Sequence, residues 1–174
     1  RIEGPMKTLY LIRHAIAAEH GADYPSDEAR PLTDEGIERF RRQVSGLRVL
    51  DVAPEVILTS PLLRCRQTAQ LLVDGLAGAV PLQTAEALRP GAHPADVLEG
   101  LGAHCRAGAI ALVGHEPSMG HLAATLIEVA LGFIVGAGLA LVVGYALARS
   151  AVVERLLSPY LVAAQATPIL ALAP

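Results

Sequence analysis

The chain has 174 residues, 52% of them hydrophobic and 18% charged, with a formal net charge of −3 and a mean hydropathy of +0.43. That length holds one domain with a sizeable core plus an appendage, and that composition excludes disordered and fibrous classes. A pI near 6.1 leaves no basic face to neutralise a nucleic-acid backbone, so nucleic acid is not an expected partner. Of the 31 charged residues, 27 lie in residues 1–125; beyond them stand only Glu128, Arg149, Glu154 and Arg155. The first part therefore reads as a soluble domain and the second as an apolar segment. Cys65 and Cys105 have neither metal-ligand spacing nor the density of a disulfide scaffold, and read as free thiols of a reducing cytosol.

Residues 1–5, Arg-Ile-Glu-Gly-Pro, have the composition of a protease-site remnant ahead of Met6 and are set apart from the fold. From Thr8 to Ile12 a short apolar, β-favouring run ends in Arg13-His14, a strand that delivers polar side chains at its C-terminal end. Lys7 is followed by too short an apolar stretch for a secretory signal, which points to the cytoplasm. Thr33 is a helix N-cap candidate with Asp34 and Glu35 in the first turn. Ile37, Phe40, Val44 and Leu47 follow at helical spacing, and Arg39, Arg41 and Arg42 occupy the other faces as solvated charges. Glu55–Thr59 predicts a second strand, and Ser60-Pro61 the N-cap and first residue of a helix reaching about Leu76. A weaker strand at Leu82, a helix after Pro94, a buried strand over Ala109–Val113 and a helix from Pro117 continue the alternation. This order predicts an α/β fold, with a mostly parallel sheet carrying helices on both faces.

Ligands in such sheets sit at the C-terminal strand ends, a rule that gathers Arg13, His14, Ser60, Arg64 and His115 into one crevice. Arginines and imidazoles together suit a compact anion such as phosphate, because the guanidinium fork matches its oxygens and keeps its charge. An imidazole among these cations is held neutral and offers a lone pair to phosphorus. Arg30, in the loop Arg30-Pro31-Leu32-Thr33, is within reach as a further anion contact; His20, His93, His104 and His121 read as structural. No phosphate-cradling glycine loop and no metal-ligand cluster is present in the sequence, so neither a cofactor nor a metal is expected.

Four segments resemble the histidine phosphatase superfamily, also called phosphoglycerate mutase-like, over residues 6–126. They are Leu11-Ile12-Arg13-His14-Ala15, Arg30-Pro31-Leu32-Thr33-Asp34-Glu35-Gly36, Ser60 through Arg64 to Gln67-Thr68-Ala69, and Val113-Gly114-His115-Glu116-Pro117. The resemblance implies a three-layer sandwich and casts His14 as the phosphoryl acceptor. It casts Arg13, Arg64 and His115 as the phosphate pocket, and Arg30 and Ser60 as substrate contacts. Larger members carry a glutamate general acid after the third strand, where this chain reads Leu88-Arg89-Pro90-Gly91, with Glu86 a poor substitute. An imidazole leaving group needs far less help from an acid than an alkoxide. The resemblance is therefore to the SixA-type phosphohistidine phosphatases, which implies a phosphohistidine-bearing signalling protein, such as a phosphotransfer domain, as substrate. A phosphoester phosphatase or mutase of the same superfamily is the alternative.

Beyond Leu126 that family's pattern stops. Val129–Ala148 carries no charge over 20 residues, long enough to span a bilayer core of about 30 Å. Gly132, Gly136, Ala140, Gly144 and Ala148 recur at every fourth position. Residues 128–174 resemble a fragment of a binding-protein-dependent ABC transporter permease, which makes a membrane permease fragment fused to a phosphatase domain a further alternative. The domain division expected is 6–126 and 127–174. The charges of the first part favour a chain handled in aqueous buffer over membrane contact through residues 129–148. Packing of the apolar run as core of the α/β domain, in place of the terminal strands, is the competing expectation.

Overall fold

The computed structural model describes residues 8–76, 78–149, 155, 158–160 and 162. The leader at residues 1–5, and most of the sequence after Arg149, lie outside the described residues. Four parallel strands, β1 (Thr8–Arg13), β2 (Val56–Thr59), β3 (Leu82–Thr84) and β4 (Ala109–Gly114), form one sheet in the order β1-β4-β2-β3. Helices α1 (Asp34–Val49), α2 (Leu63–Gly75) and α3 (Pro94–Gly102) connect them, and α4 (Ser118–Arg149) follows β4.

The central strands β2 and β4 are buried along almost their whole length, as parallel strands covered on both faces must be. Alternate residues serve opposite faces. Ile57, Ala111 and Val113 join Phe40 and Val44 of α1 and Cys65, Ala69 and Leu72 of α2 in one core. Leu58 and Leu112 face Leu88 and, from α3, Val97 and Leu101. The result is the three-layer α/β architecture read from the sequence.

Thr33 caps α1 as expected, its hydroxyl accepting from Gly36 N–H at 3.0 Å. The start of α2 differs: it begins at Leu63 with no side-chain cap, because Ser60 is fully buried and its hydroxyl is engaged by His115 instead. The chain divides into two compact units, Arg1–Thr125 and Leu126–Pro174. Within α4, Met119 and Leu122 are buried, whereas from Ile127 to Arg149 the described residues are exposed or nearly so. Among the described residues the apolar run is helical throughout and forms no strand. It continues as one helix because no proline or polar turn residue interrupts it.

Candidate active site

β1 ends at Arg13 and passes His14 into a loop held in place by the Arg30–Gly36 segment. Thr33 N–H donates to Ile16 O at 3.0 Å, Ala18 N–H to Pro31 O at 2.8 Å, and Ala17 bridges Leu32. Gly36 is required here, since a Cβ on it would run into the Ile16 carbonyl. From α2, Gln67 Oε1 accepts from Leu32 N–H at 2.8 Å and Thr68 Oγ1 accepts from Ala15 N–H at 3.0 Å. The motif residues Gln67, Thr68, Thr33 and Gly36 thus act on the site by fixing the loop beside His14.

His14 Nδ1 lies 2.7 Å from Ala15 O. A carbonyl only accepts, so Nδ1 carries the proton and Nε2 is left with its lone pair. Burial lowers the His14 pKa below 6.5, the Ala15 hydrogen bond opposes this, and the positive charges of Arg64, Arg13 and Arg30 add to the lowering. The imidazole is held neutral at physiological pH. Its ring centroid is 5.2 Å from that of His115, at 60°.

His115, just past β4, is 3% exposed, with Nε2 2.9 Å from Ser60 Oγ and 3.3 Å from Cys65 Sγ. Burial, together with the charges of Arg64 and His14, brings its pKa down to about 4. Burial pushes the Cys65 thiol up to about 12, so it packs as a neutral group. Ser60 thus contacts His115 in this structure and is turned toward orienting that ring.

Arg64 is buried in the first turn of α2. Its Nη2 donates to Asp27 Oδ2 at 2.9 Å and its Nη1 to the Asp27 carbonyl at 2.6 Å, while Nε is buried without a partner. Arg30 donates through Nη1 to Asp27 Oδ1 at 2.7 Å and through Nε to Ala18 O at 2.6 Å. A single carboxylate therefore sits across the two arginines, in the manner of a small oxyanion. Partial burial works to raise the Asp27 pKa, but the hydrogen bonds from Arg64 and Arg30 outweigh it and hold the group below its usual value. Asp27 escaped the sequence reading; its signal was an acidic residue three positions before Arg30 in a segment with two other acids, Asp23 and Glu28.

A cleft of about 500 Å³ opens beside His14, lined by Arg13, Arg30, Arg39, Phe40 and Gln43 among others. Arg39 is exposed, as the sequence suggested, yet it faces this cleft, one α1 position before buried Phe40. Among the described residues that line the cleft none is acidic, and the nearby carboxylate of Asp27 is held by Arg30. Glu86 is exposed and tied to Arg89 Nε at 2.6 Å, and Arg89 in turn reaches Glu28 at 2.5 Å. Among the described residues, no group of three or more metal-ligating side chains comes together.

Two imidazoles and three arginines gathered beside the C-terminal edge of a parallel α/β sheet make a cationic site of the kind that suits a compact oxyanion. Residues 9–90 match the family model of the histidine phosphatase superfamily (branch 1). The chain is 41% identical over 117 residues to an uncharacterized protein of Picosynechococcus sp., covering 66% of this chain and 70% of that one. It is 31% identical over 120 residues to the phosphohistidine phosphatase SixA of Escherichia coli, covering 68% and 73%. A solved structure of the protein histidine phosphatase SixA complexed with tungstate superposes with a TM-score of 0.61 at 30% identity, covering 67% of this chain and 74% of that one. The chain belongs to the histidine phosphatase superfamily and is an enzyme of the phosphatase class. None of these matches supports the permease resemblance of residues 128–174.

Proposed function

We propose that the chain removes phosphate from a phosphohistidine on a signalling protein, by way of a covalent phosphohistidine at His14. The observation that carries this reading is the tautomer of His14: with Nδ1–H spent on Ala15 O, a neutral Nε2 stands among Arg13, Arg30 and Arg64. In the first step Nε2 attacks phosphorus in line and the P–N bond to the donor imidazole breaks; the departing imidazole is then protonated by water. The arginines spread the charge that builds on the equatorial oxygens. In the second step water attacks the enzyme's phosphohistidine, the new P–N bond breaks, and phosphate leaves with neutral His14 restored.

Arg13 and Arg30 serve as phosphate contacts in this reading, and Arg64 becomes available when the incoming oxyanion displaces Asp27. The unpartnered Arg64 Nε is a further donor that a tetrahedral oxyanion satisfies. The tungstate bound by the SixA structure is such an oxyanion. His115, neutral and held by Ser60, completes the pocket as a hydrogen-bonding wall. Phosphohistidine is favoured over an alkyl phosphoester because neither nearby carboxyl group is suited to protonate an alkoxide: Asp27 is held ionised by Arg64 and Arg30, and Glu86 is tied to Arg89 on the surface.

The test is a quenched reaction with a radiolabelled phosphohistidine protein. Acid-labile, base-stable label is expected on the enzyme and absent from His14→Ala, whose turnover is abolished. Efficient hydrolysis of an alkyl phosphomonoester would move the substrate to the ester class; label elsewhere, with activity intact in His14→Ala, would overturn the mechanism.

A further inference from the structure

We propose that the α4 segment from Val129 to Ala148 inserts into a lipid bilayer, making this phosphatase a membrane-bound enzyme. The inference stands apart from the choice of phosphorylated substrate. Three observations carry it.

The first is exposure. In the 32-residue helix Ser118–Arg149, the most apolar 18-residue window has a mean hydropathy of 2.5 and none of it is buried. A core helix of similar composition would be covered by its own protein. Phe133 and Leu141 are each 75% exposed.

The second is the distribution around the axis. Phe133, Ile134 and Val135 are consecutive and therefore leave the helix in three directions 100° apart; Leu141 and Val142 return to two of these directions two turns on, and Leu139 adds a further one. Even the side that carries Gly132, Gly136, Ala140 and Gly144 is interleaved with Val129, Val143 and Leu147, and nothing stands within 4 Å of where a Cβ would lie on these glycines. A protein groove takes one apolar face, and a second copy of the helix would leave the outer half of each in water. Only a medium that surrounds the helix covers every face, and a bilayer is such a medium.

The third is the match of length and helix chemistry. Twenty uncharged residues rise about 30 Å, the thickness of the hydrocarbon core. Four glycines and five β-branched residues offset much of what the nine alanines and leucines contribute, so the helix is marginal in water without packing. In lipid every backbone N–H and C=O must be satisfied internally, which enforces the helix regardless of propensity. Glu128 bounds one end; Tyr145 and Arg149 mark the other, with the guanidinium 5.7 Å from the ring centroid. An aromatic and a basic residue are what the headgroup boundary accommodates.

The test reconstitutes the full chain from detergent into vesicles of phosphatidylcholine alone, whose zero net charge removes electrostatic adsorption as an explanation. The vesicles are washed in alkaline carbonate and floated on a density gradient. The parent chain is expected to float after the wash. A Leu139→Arg/Val142→Arg variant is expected to lose partitioning by about a hundredfold per arginine. Its α/β unit is expected to unfold at the same temperature as the parent's, which separates loss of insertion from loss of fold. A parent chain that stays at the bottom of the gradient as a monodisperse species overturns the proposal; a defined oligomer there would assign the helix to a second copy. Flotation of the double variant equal to the parent's overturns it as well.

Discussion

In α1 the residues Gly36, Phe40 and Val44 are buried along one face while Arg41, Arg42 and Arg48 stand in water; in α4 beyond Leu126 apolar residues emerge on every side and none is buried. Both stretches are helical, but for different reasons. α1 is specified by its neighbours: Thr33 caps it, Asp34 and Glu35 favour its N-terminal dipole, and its apolar face fits the core shared with α2 and the sheet. The apolar part of α4 has no single apolar face, and among the described residues beyond Leu126 none of it is buried. Periodic apolar content in a helix thus marks the face that meets the core, whereas uniform apolar content over 20 residues leaves no polar face to turn to water.

The widest gap between the two regions should appear when the same truncation is made in each. Leu72 is fully buried between α2 and the sheet, and Leu72→Ala is expected to lower the stability of the α/β unit by about 2–5 kcal/mol through lost transfer energy and the cavity left behind. Leu141→Ala removes the same atoms from a side chain 75% exposed and is expected to change that unit's stability by less than about 0.5 kcal/mol. Chemical denaturation of the two variants, followed by the loss of phosphatase activity, measures the difference. Equal losses would show that the apolar helix packs on the α/β unit and that the two regions are not distinct.

The strands, the N-cap of α1 and the nearness of His14, Arg13, Arg64 and His115 to one another were legible in the sequence, because local periodicity and strand-end position determine where such side chains emerge; Arg30 was read only as a loop residue within reach. What was not legible depends on contacts between distant segments. Asp27 meets Arg64 across 37 residues, and nothing local distinguishes it from Asp23 or Glu28. Ser60 resembles a helix cap in isolation and is instead consumed by His115, 55 residues away. The run 129–148 lacks the periodicity that separates core helix, strand and membrane span, so its continuity as one exposed helix became visible only in three dimensions.

Within the α/β unit, opposed substitutions on one ion pair sharpen the comparison further. Arg64→Ala removes donors that gain strength as charge develops on the transferring group, and should lower kcat/KM about a hundredfold, or ~3 kcal/mol. Asp27→Asn keeps the shape but removes the negative charge lying across Arg64 and Arg30. Phosphate or vanadate should then inhibit more tightly, by about fivefold, because the anion no longer displaces a bound carboxylate. Competitive inhibition constants measured at fixed ionic strength decide the sign. Weaker inhibition in Asp27→Asn would mean that the carboxylate aims the arginines and does not compete with the substrate.

The smallest expected effect concerns acid, and it too belongs to the α/β unit alone, since Val129–Ala148 has no group that titrates in the acidic range. His115 in the folded protein protonates near pH 4, against 6.5 for an ordinary imidazole, and His14 is shifted the same way. The unfolded chain therefore binds more protons than the folded one between those values, and stability must fall as pH drops from about 6.5 toward 4. For His115 alone the loss is about 1 kcal/mol at pH 5.5, small because only part of the shift has been traversed. Asp27 acts in a separate, lower window: its lowered pKa contributes stability above the ordinary carboxylate value of 3.8, lost as pH falls through its folded value. The same shift keeps His14 neutral, so the acid limb of kcat/KM should lie below pH 6.5. Urea midpoints at pH 7 and 5.5 for the parent and for His115→Gln measure the stability effect, the variant showing the shallower slope. A parent whose stability is flat across this interval would mean that both imidazoles exchange protons with water as freely in the folded chain as in the unfolded one, and the buried, neutral pair on which the site's chemistry rests would not exist.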